Sequence, residues 1–191
     1  TSDGYLNSIT YPDNKVVTYT PNALGQASQV SNYATNINYH PNGAVAGFIY
    51  GNGIAHTMTQ NARGLPSVST DTGILADTYS YDANANVTSI ADGTSNNTSR
   101  SMTYDNLDRL KTVNAPGIWG NASYNYDALD NITQSVIGSR TNVHNYDSVK
   151  NRLTSISSNE SVFNLNYDSY DEQGNIQKRG AQLFSFDLLN R

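Results

Sequence analysis

The chain has 191 residues; 37% are apolar even with Tyr counted, against roughly 45–50% in average globular proteins, and 14% are charged, against about 25%. This balance argues against a compact sandwich with a thick aliphatic core and favours a thin sheet with two partly wetted faces. The net charge of −5 argues against nucleic acid, which would want a basic face, and the absence of Cys removes disulfides and thiolate metal sites. No signal peptide or membrane-spanning run stands out. Intrinsic disorder, the other reading of low hydrophobicity, expects few aromatics, whereas this chain has 14 Tyr at periodic positions.

Read from the N-terminus, a turn-like motif returns about every 21 residues. Gly4, within Ser2-Asp3-Gly4, is the first position in phase. Pro21-Asn22-Ala23-Leu24-Gly25 and Gln60-Asn61-Ala62-Arg63-Gly64 keep the spacing with Asn in place of Asp, and between them Tyr39 leads to Gly43. Then come Tyr81-Asp82, Tyr104-Asp105, Tyr126-Asp127, Tyr146-Asp147, Tyr170-Asp171 and Phe186-Asp187. Four residues after each aromatic stand Ala85, Asp108, Asp130, Lys150, Gly174 and Asn190. The array is thus a single one over 1–191, beginning and ending within a repeat, with no second domain.

Approaching each turn, residues alternate as a strand requires, as in Tyr79-x-Tyr81, Met102-x-Tyr104, Tyr124-x-Tyr126 and Phe163-x-Leu165-x-Tyr167. The Asp carboxylate can accept backbone N–H groups two residues on, and Gly accepts a positive φ. Beyond the turn, apolar residues sit two and five positions on: Leu6/Ile9, Ala27/Val30, Val45/Phe48, Val87/Ile90 and Leu110/Val113. An interval of three cannot share one face of a regular strand, so a bulge or strong twist is expected there. No segment sustains a helical period. Each repeat therefore reads as one β-hairpin with strands of about six to seven residues. At Ala85 and Lys150, either the turn changes type or Asn84, Asn86 or Asn151 takes the strained position.

Catalytic and ligand-binding patterns are sparse. His40, His56 and His144 form no metal-ligand spacing, and no nucleophile elbow or phosphate loop occurs. Asp168-Ser-Tyr-Asp-Glu-Gln-Gly174 misses an EF-hand loop, with Tyr170 and Arg179 where oxygen ligands belong. No catalytic, cofactor or metal residues are assigned. The Asp residues read as turn caps and the Tyr residues as packing along the sheet, although Tyr and amide side chains also suit a carbohydrate surface. Asn-x-Ser/Thr sequons at Asn86, Asn96, Asn97, Asn121, Asn131 and Asn159 read as coincidence in so Asn-rich a chain. Unpaired hairpin edges predict association with neighbouring repeats or with other copies.

Tyr104-Asp-Asn-Leu-Asp-Arg-Leu-Lys-Thr-Val113, Tyr126-Asp-Ala-Leu-Asp-Asn-Ile132 and Tyr170-Asp-Glu-Gln-Gly-Asn-Ile176 resemble the tyrosine-aspartate (YD) repeats of bacterial RHS proteins. Tyr50-Gly-Asn-Gly-Ile54 and Trp119-Gly-Asn-Ala-Ser-Tyr-Asn-Tyr126 add to the resemblance, which covers essentially the whole chain. It implies an all-β fold of consecutive antiparallel hairpins curving into a spiralling sheet, a segment of a hollow shell. Relatives include toxin-complex subunits, whose shells enclose a C-terminal toxin, and teneurins, in which the shell belongs to an adhesion receptor. The resemblance implies a secreted or cell-surface parent and a non-catalytic structural segment; the alternative is a surface module binding carbohydrate or protein. The Asp-Pro and Gly-rich boundary that precedes variable toxin tips has no counterpart here, so toxin and self-cleavage functions are not carried to these residues. A fragment of a longer shell is expected.

Overall fold

Most of the runs of Val, Ile, Thr and Tyr that alternate with polar residues become strands, because a pleated, half-buried surface suits branched and aromatic side chains. The computed structural model describes residues 4–94 and 97–187, and the chain divides into two compact units, 1–99 and 100–191. The expectations at Ser2, Asp3, Asn96 and Asn190 lie outside the described residues.

In the first unit, β1 (Ser8–Thr10) pairs with β2 (Val16–Thr18) as a separate two-stranded sheet. Six further strands follow: β3 (Ala34–Tyr39), β4 (Val45–Tyr50), β5 (Ala55–Gln60), β6 (Pro66–Asp71), β7 (Leu75–Tyr81) and β8 (Val87–Asp92). Each of these pairs antiparallel with the next. The second unit contains β9 (Arg100–Tyr104), β10 (Leu110–Ala115), β11 (Gly120–Tyr126), β12 (Ile132–Ile137), β13 (Arg140–Tyr146) and β14 (Leu153–Ser158). It ends with β15 (Leu165–Tyr170), β16 (Ile176–Arg179) and the short β17 (Gln182–Leu183), again in sequential antiparallel order. No α-helix occurs among the described residues.

Two expected strand segments take other forms. Around Gly25 the hairpin is reduced to isolated bridges, Pro21 with Ala27 and Val30 with Ala34. Phe163 belongs to a single 3-10 turn, Ser161–Phe163, and its strand starts only at Leu165. The sequence alternation continues through Phe163, but Asn164 has already spent its side chain on the Ser158 N–H, at 2.7 Å, which folds the loop back on β14.

The bulge lies at the same place in every regular hairpin. Tyr126 faces Ile132, yet Asn125 faces Gln134, so Thr133 is the extra residue. The same offset follows Tyr39, Gln60, Tyr81, Tyr104, Tyr146 and Tyr170. One inserted residue resets the alternation, so positions two and five after the turn share a face. The fifth position is buried in three hairpins, holding Val113 at 7% exposure but also Ser69 and Ser135 at 7% and 6%, while Ala115 and Ala122 lie deeper still. A small core of Val113, Ala115 and Ala122, with Met102, Leu110, Tyr124 and Ile137 against it, sits in the second unit. No large side chain among the described residues is fully buried, as a thin sheet requires.

Left-handed backbone marks every turn. Gly4, Gly25, Gly43, Gly64 and Gly174 have φ between 76° and 93°. Ala85 itself adopts φ 72°, whereas in the Lys150 turn Asn151 takes the position at φ 54°. The second turn can shift because it is one residue longer, closing from the Asp147 N–H to the Arg152 carbonyl instead of four residues on. The first cannot, since Asn86 is held by Asp82 through both backbone and side chain. A Cβ at positive φ costs roughly 1 kcal/mol that Gly avoids. Ala85→Gly is therefore expected to stabilise the protein by up to about 1 kcal/mol, net of the entropy that Gly adds to the unfolded chain. Urea midpoints at unchanged slope would measure it, and a loss of stability would refute the strain at this turn.

Candidate functional site

The residues that recur at the 21-residue period converge on the turns, where three sets of hydrogen bonds are stacked. The innermost is local. Asp127 Oδ1 accepts the N–H groups of Leu129 at 2.8 Å and Asn131 at 3.0 Å, while its Oδ2 accepts the Asn131 side-chain amide at 2.8 Å. Asp82 does the same with Asn84 and Asn86, and Asp105 with Leu107 and Arg109. Asp171 holds Asn175 by both groups, and Asp147 holds Val149 and Lys150. Asn22 and Asn61 reproduce the backbone part with an amide oxygen, which is why Asn can stand in the Asp slot. Phe186 and Asp187 lie just beyond β17, with Phe186 exposed.

The second set joins repeats. Five Tyr hydroxyls donate to a backbone carbonyl just beyond the preceding turn: Tyr39 to Ala27, Tyr81 to Pro66, Tyr126 to Leu110, Tyr146 to Ile132 and Tyr170 to Leu153, at 2.5–3.1 Å. In the last four the acceptor is the residue just before the bulge. A Tyr that packs along the sheet, as the alternation suggests, also pins its repeat to the one before. Phe186, in the same slot, has no hydroxyl to donate.

Arginines form the third set, and sequence reasoning assigned them no role. Arg109 reaches from its own Asp105, at 2.8 Å through Nε, to the Asp127 carbonyl at 3.0 Å and the Asp130 carboxylate at 2.8 Å in the next turn. Arg63 donates to the Asp82 carbonyl and Arg152 to the Asp171 carbonyl. Asn131 replaces the guanidinium between its neighbours, giving one amide hydrogen to Asp127 and one to Asn151, each at 2.8 Å. Arg109 and Arg152 also lie over the rings of Tyr126 and Tyr170, at 4.6 and 5.3 Å. The residue after the turn position, Asn86, Arg109, Asn131 or Asn175, carried part of the signal: both types have several N–H donors, enough for one turn and the next.

Electrostatics follow the hydrogen bonds. The Asn86, Asn131 and Asn175 side chains hold Asp82, Asp127 and Asp171 below the usual carboxylate range. Asp147 is lowered by the Lys150 and Val149 N–H groups. At Asp105, desolvation pushes upward but is outweighed by Arg109 and by two backbone donors. Desolvation raises Tyr81, Tyr126, Tyr146 and Tyr170, which keeps each hydroxyl a donor.

Elsewhere the candidate chemical groups are engaged singly. His40 meets the Met58 carbonyl at 2.8 Å, His56 the Asp71 carboxylate at 2.7 Å and His144 the Ser135 hydroxyl at 3.3 Å. Asp168 accepts the Gly180 N–H. Among the described residues no three acidic, His or Cys groups gather as a metal site would need. What this arrangement can do is mechanical: it fixes each turn and fastens it to its neighbours.

No family model and no curated protein matches the chain. Solved structures do. The chain is similar to a chain of the Photorhabdus luminescens Tc holotoxin pore, with a TM-score of 0.72 and 14% identity over 98% of this chain and 12% of that one. It is also similar to chains of TcdB2-TccC3-Cdc42, at TM-score 0.54, 18% identity, 89% of this chain and 9% of that one, and of TcdB2-TccC3 without its hypervariable C-terminal region, at 0.52, 18%, 88% and 9%. The chain thus spans about a tenth of the length of these solved chains. At such identities the likeness is one of fold.

Two outcomes test the ladder. Tyr126→Phe, which removes one hydroxyl and strands the Leu110 carbonyl, should cost about 0.5–1.5 kcal/mol, while Tyr124→Phe, in the core cluster, should cost less. Equal losses in denaturant titrations would deny Tyr126 its role as a staple. Because the capping carboxylates titrate lower folded than unfolded, the unfolded state binds more protons as pH falls below about 4. Stability should therefore hold from neutrality to about pH 4 and decline below it, and thermal melts that stay level or rise on acidification would contradict the capping role.

Proposed function

We propose that this chain, whose fold is that of an RHS/YD-repeat shell, is a non-catalytic structural segment of such a shell within a longer polypeptide that encloses a C-terminal toxin or effector. Residues 1–191 are read as one array of repeats. The observation that carries the proposal is the likeness to the Tc holotoxin pore over 98% of this chain against 12% of that one. The chemistry of the turns supports it: carboxylates, hydroxyls and guanidinium groups that could serve a reaction are spent within the turns or on neighbouring repeats. A wall needs such closure. In this reading the parent of this chain is secreted or at the cell surface, as the RHS resemblance implies.

Limited proteolysis of the longer polypeptide tests enclosure. The segment following the repeats should survive a protease concentration that degrades the same segment produced alone. Equal rates of degradation would sink the enclosure reading, whatever the fold of the wall.

A further inference from the structure

The row that crosses the sheet at the fifth position after each turn changes its chemistry from hairpin to hairpin. Residues directly opposite on neighbouring antiparallel strands share a face, so each row is three side chains wide. In the second unit one row is Val113, Ala122 and Ile137, all apolar, and the next is Ser135, Asn142 and Ser158, all neutral. In the first unit one row is Phe48, His56 and Asp71, where the imidazole meets the carboxylate at 2.7 Å. The row after it is Ser69, Asp77 and Asp92, which sets two carboxylates side by side. The equivalents of Asp77 are His56, Ala122 and Asn142, so the fold itself does not call for an acid there.

Asp77 and Asp92 are a close pair. The Gly93 N–H donates to the Ala76 carbonyl at 2.7 Å, so residues 77 and 92 share no direct backbone bond and stand where opposed side chains approach closest. The side-chain and backbone donors of Thr94 and Thr98 hold Asp92 well below the usual carboxylate range, so it is charged at neutral pH. Like charges directly opposite each other repel. Asp77 is 8% exposed, and its carboxylate makes no hydrogen bond or ion pair with any described residue. Ser69, 7% exposed and opposite Asp77 on its other side, has a hydroxyl equally unengaged among the described residues. Ser135, at the same place in the second unit, is met by His144 and Asn142. Buried polar groups cost free energy until a partner reaches them.

We propose that a hard divalent cation of the Ca²⁺ class binds at this row, with Asp77 and Ser69 as ligands and Asp92 as a fixed negative charge beside it. Such ions take oxygen ligands and complete their shell with water, so carboxylates and a hydroxyl serve where a transition-metal centre would want His or Cys. With few protein ligands the affinity belongs at the weak end for Ca²⁺, about 10⁻⁴–10⁻³ M. The ion ties β6, β7 and β8 together across a row whose own carboxylates repel.

Thermal melts of the whole chain with CaCl₂, against NaCl at equal ionic strength, test the site. Ca²⁺ at about 10 mM, ten or more times that dissociation constant, should raise the midpoint by about 3–6 °C. Asp77→Asn and Asp77→Ala should abolish the rise; alanine is what Ala122 supplies at the equivalent place, so the fold accepts it. Asp168→Asn, in the acidic run far along the chain, should keep the rise. In chelator, Asp77→Asn should melt no lower than the native chain, because it relieves a like-charge contact. No rise with Ca²⁺, an equal rise after Asp77→Asn, a rise lost with Asp168→Asn, or a native chain that outlasts Asp77→Asn in chelator would each overturn the proposal.

Discussion

The Asx turn is the constraint on which the other features depend. When Asp127 accepts the N–H groups of residues 129 and 131, the turn length is set and Tyr126 is brought opposite Ile132. That pairing leaves one residue too many on the return strand, and Thr133 bulges. The bulge in turn decides which residues face inward, including the buried fifth position. A change in the cap would thus propagate through register to burial, although the bond itself spans only four residues.

A sheet built this way has little core to rely on, and the repeats are held instead by directed polar contacts. Each such bond contributes modestly, about 1 kcal/mol, but it recurs at every period. Hydroxyl staples run backward to the previous repeat and guanidinium or amide bridges run forward to the next, so a repeat in the middle of the second unit is fastened from both sides. Stability then accrues by nearest-neighbour terms, as in other repeat proteins. It also explains a low apolar content without disorder: the polar residues are structural, and the aromatics each provide a ring to pack and a hydroxyl to donate.

The same logic accounts for buried polar residues that a hydrophobic pattern would not place. Ser69 and Ser135 are buried in their hairpins, and Asp77, at 8% exposure, lies between Ser69 and Asp92 across the strands. Ser135 is engaged by His144 and Asn142. In a thin sheet a small polar residue fits where a larger apolar one would crowd the facing strands, provided that it finds partners.

From the amino-acid sequence alone came the period, the hairpin, the capping Asp and the bulge, since each arises from bonds and alternation within a few residues of one turn. The spacing of Leu110 and Val113 called for a bulge or a strong twist, and the bulge is what forms, between Leu110 and Thr112. Tertiary structure decided what depends on another strand: the carbonyls, 12 to 17 residues back, that five Tyr hydroxyls find, the second turn that Arg109 reaches 21 residues on, and the depth of Ser69 and Ser135. It also decided that Ala85 bears its own positive φ while Asn151 relieves Lys150, because the first turn is locked by Asn86 and the second has a residue to spare. Local chemistry writes the repeat, and contacts between repeats are settled only when strand register brings their turns side by side.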